Sequence, residues 1–250
     1  MIALNGIDKS FKEGSLRTEA LRDFQLKVAD GEFITIFGPN GSGKTTLLNL
    51  VSGLDEPSNG EILINGKCPQ GSSVGCVFQN YNESLFPWLT VLANVEIPLI
   101  VQSESKNKRL QYARQILAKV GLTHAEHKYI YQLSGGQKQL VAICRAIAMQ
   151  PDLLIMDEPF SALDYSTTRK MELQLLDIWQ EQKITTLFVS HNIEEAIFLA
   201  DRVVVLTPRP GTIKKVFKVN LPRPRTSDMY TWTEFTKLRN DILRVFEYET

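Results

Sequence analysis

The sequence predicts an α/β protein with a mostly parallel sheet, an N-terminal antiparallel β part and an inserted α-helical subdomain. Three observations predict it. Short apolar runs at residues 32–37, 74–78, 153–158 and 185–190 have the length of strands buried on both faces, as in a parallel sheet. Residues 2–8 and 20–28 instead alternate apolar and polar side chains, the pattern of strands with one solvated face. From about residue 90 to 150 the apolar period becomes helical and interrupts the alternation of strands and helices.

At 250 residues the chain can bury a full core, as one large domain or as two lobes. Its 28 basic and 28 acidic residues balance, so no global charge argues for nucleic acid. Cys68, Cys76 and Cys144 are too few and too scattered for a disulfide framework or a zinc site, and are expected to be small buried residues. The N-terminus lacks a basic-then-apolar signal pattern, and no apolar run approaches the ~18 residues of a membrane span. A cytosolic chain is expected, one that meets a membrane only through a partner.

Taken in order, the two alternating strands are joined by the turn Lys12-Glu13-Gly14-Ser15, with Phe11 between them. Phe11 is either a core or edge aromatic, or a platform on which an adenine ring stacks. The turn Asp30-Gly31 feeds the strand at 32–37, which runs into Gly38-Pro39-Asn40-Gly41-Ser42-Gly43-Lys44-Thr45. This fits G-x-x-x-x-G-K-[ST], and a helix start at Thr46-Leu47-Leu48 follows. Glycines let successive N–H groups curl around one anion, and the helix N-terminus adds its positive end. Lys44 would reach the β- and γ-phosphates of a nucleoside triphosphate, and the Thr45 hydroxyl would hold Mg²⁺. The strand–loop–helix setting makes this the core of a P-loop nucleoside triphosphatase.

Further on, Pro57-Ser58-Asn59-Gly60 is a turn, and residues 61–66 are a short strand ending in another turn. Gln79 directly follows the strand at 74–78, where α/β proteins meet ligands, though by itself it would be a loop glutamine. Leu85-Phe86-Pro87-Trp88-Leu89 is either core or an exposed anchor for a partner. Leu110, Ala113, Leu117 and Val120 share one helical face, and Gly121 ends that helix.

Leu133-Ser134-Gly135-Gly136-Gln137 reads as a capping box, Ser134 at the N-cap and Gln137 three residues on, before Leu140, Cys144, Ile147 and Ala148 on one face. Two glycines in a first turn cost helix propensity that packing alone does not ask for, and with a serine they make a second phosphate-contacting surface. The strand at 153–158 ends in Asp157 and Glu158. Asp157 suits the Mg²⁺ shell, and Glu158 suits deprotonating a water that attacks the γ-phosphate. The strand at 185–190 ends at His191, placed to donate to the γ-phosphate, with Asn192 and Glu195 in capping positions for the helix through Ala200. Residues 203–207 form another strand, Pro208-Arg209-Pro210-Gly211 turns the chain back, and Phe235, Leu238, Ile242 and Val245 mark an amphipathic C-terminal helix.

This constellation resembles the ATP-hydrolysing subunit of ATP-binding-cassette transporters, to about residue 225. Residues 38–45 match the first nucleotide motif, Gln79 the Q-loop, residues 133–137 the signature, residues 153–158 the acidic strand, Ser161-Ala162-Leu163-Asp164 the D-loop and His191 the switch histidine. The resemblance implies ATP and Mg²⁺, with Glu158, His191, Gln79 and Lys44 catalytic. Phe11, Gly38, Pro39, Asn40, Gly41, Ser42, Gly43, Lys44, Thr45, Thr46, Ser134, Gly135, Gly136, Gln137 and Asp164 would bind nucleotide, and Thr45, Gln79 and Asp157 would surround the metal. It implies a single cassette domain: a nucleotide-binding core of 1–84 and 151–225, a helical subdomain of about 85–150 and a C-terminal helix at 226–250.

Residues 85–88 and 203–211 are similar to the nitrate/sulfonate/taurine importer ATPases, a group that also covers bicarbonate and thiamine-precursor uptake. The chain departs from that group in a longer run between Gln79 and Leu85, in Thr168 and in Thr212. A head-to-tail pair of cassettes, a homodimer or a paralogue pair, is implied, each phosphate loop facing the other copy's residues 134–137. Permease subunits would meet the chain near Gln79, Phe86 and Trp88 on the cytoplasmic face of the inner membrane, with a solute-binding protein as an indirect partner and no nucleic acid. Two rivals are a soluble cassette ATPase acting on ribosome or DNA, and a small-molecule kinase. The first usually has two cassettes or a long coiled-coil insert, and the second leaves the signature and His191 unexplained.

Overall fold

The structure, a computed structural model, describes residues 1–14, 16–80, 84–101 and 105–248. Most of the longer run between Gln79 and Leu85 therefore lies outside the described residues. Two sheets form. In the first, β1 (Ile2–Glu13) pairs antiparallel with β2 (Leu16–Val28) on one side and β4 (Asn59–Ile64) on the other. The second has the order β5 (Val74–Val77), β6 (Leu153–Asp157), β7 (Thr186–Ser190), β3 (Phe33–Phe37), β8 (Arg202–Leu206) and β9 (Ile213–Lys218). All its neighbours are parallel except β8 and β9, which pair antiparallel beyond the turn at 208–211.

The period of two in these strands divides the core. Phe33 and Phe37 of β3, Leu154 and Met156 of β6, and Val203 and Val205 of β8 join one apolar cluster; Ile34 and Ile36, Leu153 and Ile155, and Val204 and Leu206 join the other. The second cluster is closed by α1 (Lys44–Val51) and the antiparallel sheet. The first is covered by α2 (Val91–Val101), α3 (Lys106–Lys119), α4 (Gly135–Ala148), α5 (Tyr165–Gln182), α6 (Ile193–Leu199) and α7 (Thr233–Tyr248). A strand buried on both faces has no polar side to show, which is why β3, β6 and β8 read as continuous apolar runs.

The C-terminal helix α7 buries Phe235, Ile242 and Val245, and Phe246 packs its ring 5.0 Å from that of Phe37. Each buried side chain contributes about 2 kcal/mol, against the marginal stability of an isolated helix of this length, so α7 is held by packing. No helix among the described residues is long and apolar enough to cross a membrane.

Two expectations change. β1 and β2 run on to 12 and 13 residues; register shifts after Leu4, Ile7 and Lys9 break the strict alternation that marks a strand in sequence, so only part of each was legible. Of the cysteines, Cys144 is buried and Cys76 half-buried, but Cys68 is exposed, since it lies in the turn before Pro69 rather than on a sheet face.

Register aligns the functional ends. Phe37 pairs with Ser190 and Val205, Asp157 with Val189, and Val77 with Met156. The residues after β3, β5, β6 and β7 thus emerge together at the carboxyl edge of the sheet, where ligands of α/β folds sit.

Candidate nucleotide-hydrolysis site

The loop after β3 is shaped by two left-handed residues, Gly41 at φ 79° and Gly43 at φ 87°. A Cβ on Gly43 would stand 2.8 Å from Leu21 Cδ2 and 2.9 Å from the Ala20 carbonyl, so glycine is needed for close approach to β2 as well as for φ. No side chain caps the N-terminus of α1, which leaves its first N–H groups available to an anion. Lys44, only 7% exposed, donates from Nζ to the Gly38 and Pro39 carbonyls at 2.9 and 3.0 Å. Burial pushes its amine down, and the neighbouring Glu158 and Asp157 oppose that. Outside the loop, Gly211 packs its backbone on Ser42, and Arg209 Nε donates to the Gly41 carbonyl at 3.4 Å.

At the end of β6, Asp157 Oδ2 accepts from Thr45 Oγ1 at 3.4 Å. Burial raises the Asp157 carboxyl, and the charge of Glu158 adds to this. Glu158 itself has φ 45°, an uncommon conformation for a residue with a side chain, held by its N–H donating to Val189 O at 3.0 Å. Its Oε2 lies 2.9 Å from His191 Nδ1. Asn40, Gly41, Gly43, Lys44, Thr45, Thr46, Gln79, Glu158, His191 and Arg209 line one cleft of about 570 Å³. Five separate stretches of chain thus converge on one cleft around the phosphate loop. Arg209 was not singled out by its sequence, although an arginine held between two prolines is a rigid presentation of charge.

The donors fit a magnesium ion held together with phosphates. One hydroxyl, one carboxylate and a nearby amide are hard oxygen ligands of the kind Mg²⁺ takes alongside phosphate oxygens and water. Among the described residues no group of three histidines, cysteines or acids could hold a metal by itself.

Ser134, Gly135, Gly136 and Gln137 do not line this cleft. The expected capping box is present: the Gln137 N–H donates to Ser134 Oγ at 3.4 Å, and the Ser134 N–H to Gln137 Oε1 at 3.1 Å. One of the two glycines, Gly136, is not free of packing demands, however. A Cβ on Gly136 would come within 3.0 Å of Thr167 Cγ2 on α5, so close helix approach asks for that glycine. Phe11 is 44% exposed with Lys9 Nζ 5.1 Å from its ring centroid, which removes the core alternative for it. Asp164 caps α5, accepting from the Thr167 N–H and from the Ser166 and Thr167 hydroxyls, which hold its carboxyl far below the usual range.

Asn192 caps α6 as expected, accepting from the N–H groups of Glu194 and Glu195. Glu195 does not cap. Its carboxyl turns inward, because its position on the first turn of α6 faces the core, and contacts Ser190 Oγ.

The run after Gln79 is split between interior and surface. Leu85 is buried and Phe86 half-buried, whereas Trp88 is 69% exposed. Buried Asn94 of α2 accepts from the Phe86 N–H and donates to the Phe86 and Thr90 carbonyls, fixing this turn. The Arg145 guanidinium lies 4.5 Å from the Phe86 ring centroid. Phe78, Phe86, Ile97, Pro98, Arg145 and Met149 are among the residues lining an apolar cleft of about 590 Å³. Neither Asn94 nor Arg145 was read from the sequence; the available signal was one amide inside the otherwise apolar Val91-Leu92-Ala93-Asn94-Val95.

The ABC transporter family model matches residues 21–161. The chain is 44% identical over 239 residues to the nitrate import ATP-binding protein of Synechocystis sp., covering 92% of this chain and 88% of that one. It is 40% identical over 242 residues to the aliphatic sulfonates import ATP-binding protein of Bacillus licheniformis, covering 96% and 92%. Its fold matches the dimeric post-hydrolysis structure of an ATP-binding cassette bound to ADP and Pi with a TM-score of 0.77 and 33% identity, over 89% of this chain and 100% of that one. With the phosphate loop, the acidic strand end and the histidine on one sheet edge, the chain belongs to the ABC transporter family as an ATP-binding, ATP-hydrolysing cassette.

Proposed function

We propose that this chain is the ATPase subunit of a membrane importer for a small anionic solute of the nitrate, sulfonate, taurine or bicarbonate kind, seated on the cytoplasmic face of the inner membrane. The observation that carries the hydrolytic assignment is the cleft that unites Lys44, Thr45, Gln79, Glu158 and His191. In this reading residues 1–84 and 151–225 are the nucleotide-binding core, about 85–150 the signature subdomain and 226–250 a C-terminal helix.

The N–H groups of residues 38–46 and the Lys44 ammonium take the β- and γ-phosphates. Thr45, Asp157 and Gln79 would hold Mg²⁺, which when bound would neutralise charge on the phosphate oxygens. Glu158 accepts a proton from the attacking water, and His191, steadied by Glu158, donates to the γ-phosphate. Phe11 stacks the adenine. Ser134, Gly135, Gly136 and Gln137, which do not line their own cleft, close the site of a second cassette, with Asp164 at the seam. A permease helix lies in the apolar cleft beside Gln79, with Phe86 and Trp88 at its mouth, in the helix-in-groove manner. The import names and near-complete coverage of the relatives support this over a ribosome- or DNA-directed ATPase.

The test is co-expression with the neighbouring permease and reconstitution in vesicles. Solute-loaded binding protein should stimulate ATP hydrolysis, and chelation of Mg²⁺ should abolish it. A chain that sediments with ribosomes or DNA and ignores the permease defeats the importer reading.

A further inference from the structure

The side chain of Glu195 is buried, 6% exposed, and plays no part in the hydrolytic scheme above. Its Oε2 contacts Ser190 Oγ, the side chain directly before His191. Ser190 Oγ also accepts from the Asn192 N–H at 2.9 Å and lies 3.2 Å from the Asn192 carbonyl. A hydroxyl has one proton to give and two lone pairs. If Glu195 were a carboxylate, the single Ser190 proton would have to serve both it and the Asn192 carbonyl. If Glu195 carries a proton, all three contacts are met: Oγ accepts from Asn192 N–H and from the Glu195 acid, and donates to the Asn192 carbonyl.

The acidic charges around Glu195 agree with this, and outnumber the one cation that opposes them. Glu158 at the end of β6, Glu172 on α5 and Glu194 on its own helix are acidic. Arg169 of α5 opposes them and favours the charged form, although its Nη1 and Nη2 groups are bonded to Glu172 and Glu194; Arg239 of α7 pairs with Glu194. Tyr230 donates to Glu172. Among the described residues no ion pair is formed by Glu195 itself. Burial, foremost, pushes its carboxyl up to about 8. Glu195 also lines a small cleft of about 260 Å³ together with Glu158 and His191.

We propose that Glu195 is a positioning residue: held as a neutral acid, it donates to Ser190 Oγ and so locks the 190–192 turn that aims His191 at Glu158. The effect on turnover rests on the roles given above to His191 and Glu158; the protonation state does not. Above neutral pH the acid ionises, Ser190 is drawn to the carboxylate, and the turn loses its bond to the Asn192 carbonyl.

The experiment compares wild type, Glu195→Gln and Glu195→Ala, the amide keeping an N–H donor where the acid has its O–H. Glu195→Ala is expected to lower kcat by ~10-fold with KM for ATP unchanged, as for a misaimed catalytic group, and Glu195→Gln to restore it. The wild type should lose activity on a basic limb near pH 8 that Glu195→Gln lacks.

Urea unfolding supplies a readout free of catalysis. A folded-state carboxyl raised from 4.5 to about 8 keeps its proton where the unfolded chain has lost it. Wild type should therefore lose stability relative to Glu195→Gln as pH rises from 4.5 to about 8, by about tenfold in the folding constant per pH unit, and level off above. A gap that stays constant over that range, or a Glu195→Gln enzyme as slow as Glu195→Ala, overturns the proposal. Should His191→Ala or Glu158→Gln instead hydrolyse ATP normally while the unfolding gap follows pH as stated, the hydrolytic roles fail and the neutral acid stands.

Discussion

A methyl group placed on Gly211 would stand 2.0 Å from the carbonyl oxygen of Ser42, so the turn after β8 forms the outer wall of the phosphate loop. The Gly211 N–H donates to the Ala20 carbonyl at 2.8 Å and its carbonyl accepts from the Arg22 N–H at 3.2 Å, so the wall is also tied to β2. Gly211→Ala must push backbone against backbone. It is expected to cost about 1–3 kcal/mol of stability, as overpacking does, and to weaken ATP binding by at least ~10-fold. Nucleotide titration beside a urea melt reads both; unchanged affinity would show that the loop does not lean on this turn.

Glu158 holds a left-handed backbone and meets His191 at 2.9 Å. Glu158→Gln keeps the shape but removes the base. ATP binding should persist, hydrolysis should fall at least ~10²-fold, and ATP-loaded dimers should accumulate on a sizing column. Turnover at the normal rate removes Glu158 from its role.

Ser134 is exposed and lies outside its own nucleotide cleft. Ser134→Arg should therefore leave its own ATP affinity nearly intact while spoiling the site of the second copy. Mixed with Lys44→Ala protein, it can form dimers with one intact composite site, built from the Ser134→Arg chain's loop and the Lys44→Ala chain's signature. Light scattering should detect ATP-dependent dimers in the mixture; none beyond those of either variant alone sinks the shared-site arrangement.

Trp88 is 69% exposed, so its removal should not unfold the protein. A buried tryptophan cut to alanine costs roughly 3–5 kcal/mol, whereas a surface change stays within about 0.5 kcal/mol. Trp88→Ala is expected to melt like wild type and bind ATP normally, yet lose about 2 kcal/mol or more of permease affinity, as for a central anchor. A detergent pull-down with the membrane subunit checks this. Full permease binding would remove Trp88 from the docking surface.

Much of the site was legible in the chain because its parts are local. The run from Phe37 to Thr46 carries its own mechanism: glycines for the left-handed turns, a helix start for the dipole, and a lysine and a threonine at fixed offsets. Strands buried on both faces announce themselves as unbroken apolar runs, and the residue that follows such a strand is delivered to the ligand edge. Glu158 and His191 were found in that way, and Gln79 as the polar residue after the apolar run at 74–78. The capping box at Ser134 and Gln137 is a three-residue geometry and needs no tertiary contact to be read.

What the chain by itself determined, then, was which residues end strands and begin helices, because those depend on neighbours within a turn or two of backbone. The tertiary structure decided everything that turns on direction. It aimed Glu195 inward at Ser190 rather than at the cap, pressed Gly136 against Thr167 and Gly211 against Ser42, left Trp88 in solvent, and brought Arg209 to the cleft. These contacts join segments far apart in sequence, and which side of an element meets which partner is set by close packing across the sheet, a property of the assembled core and of no single stretch of it.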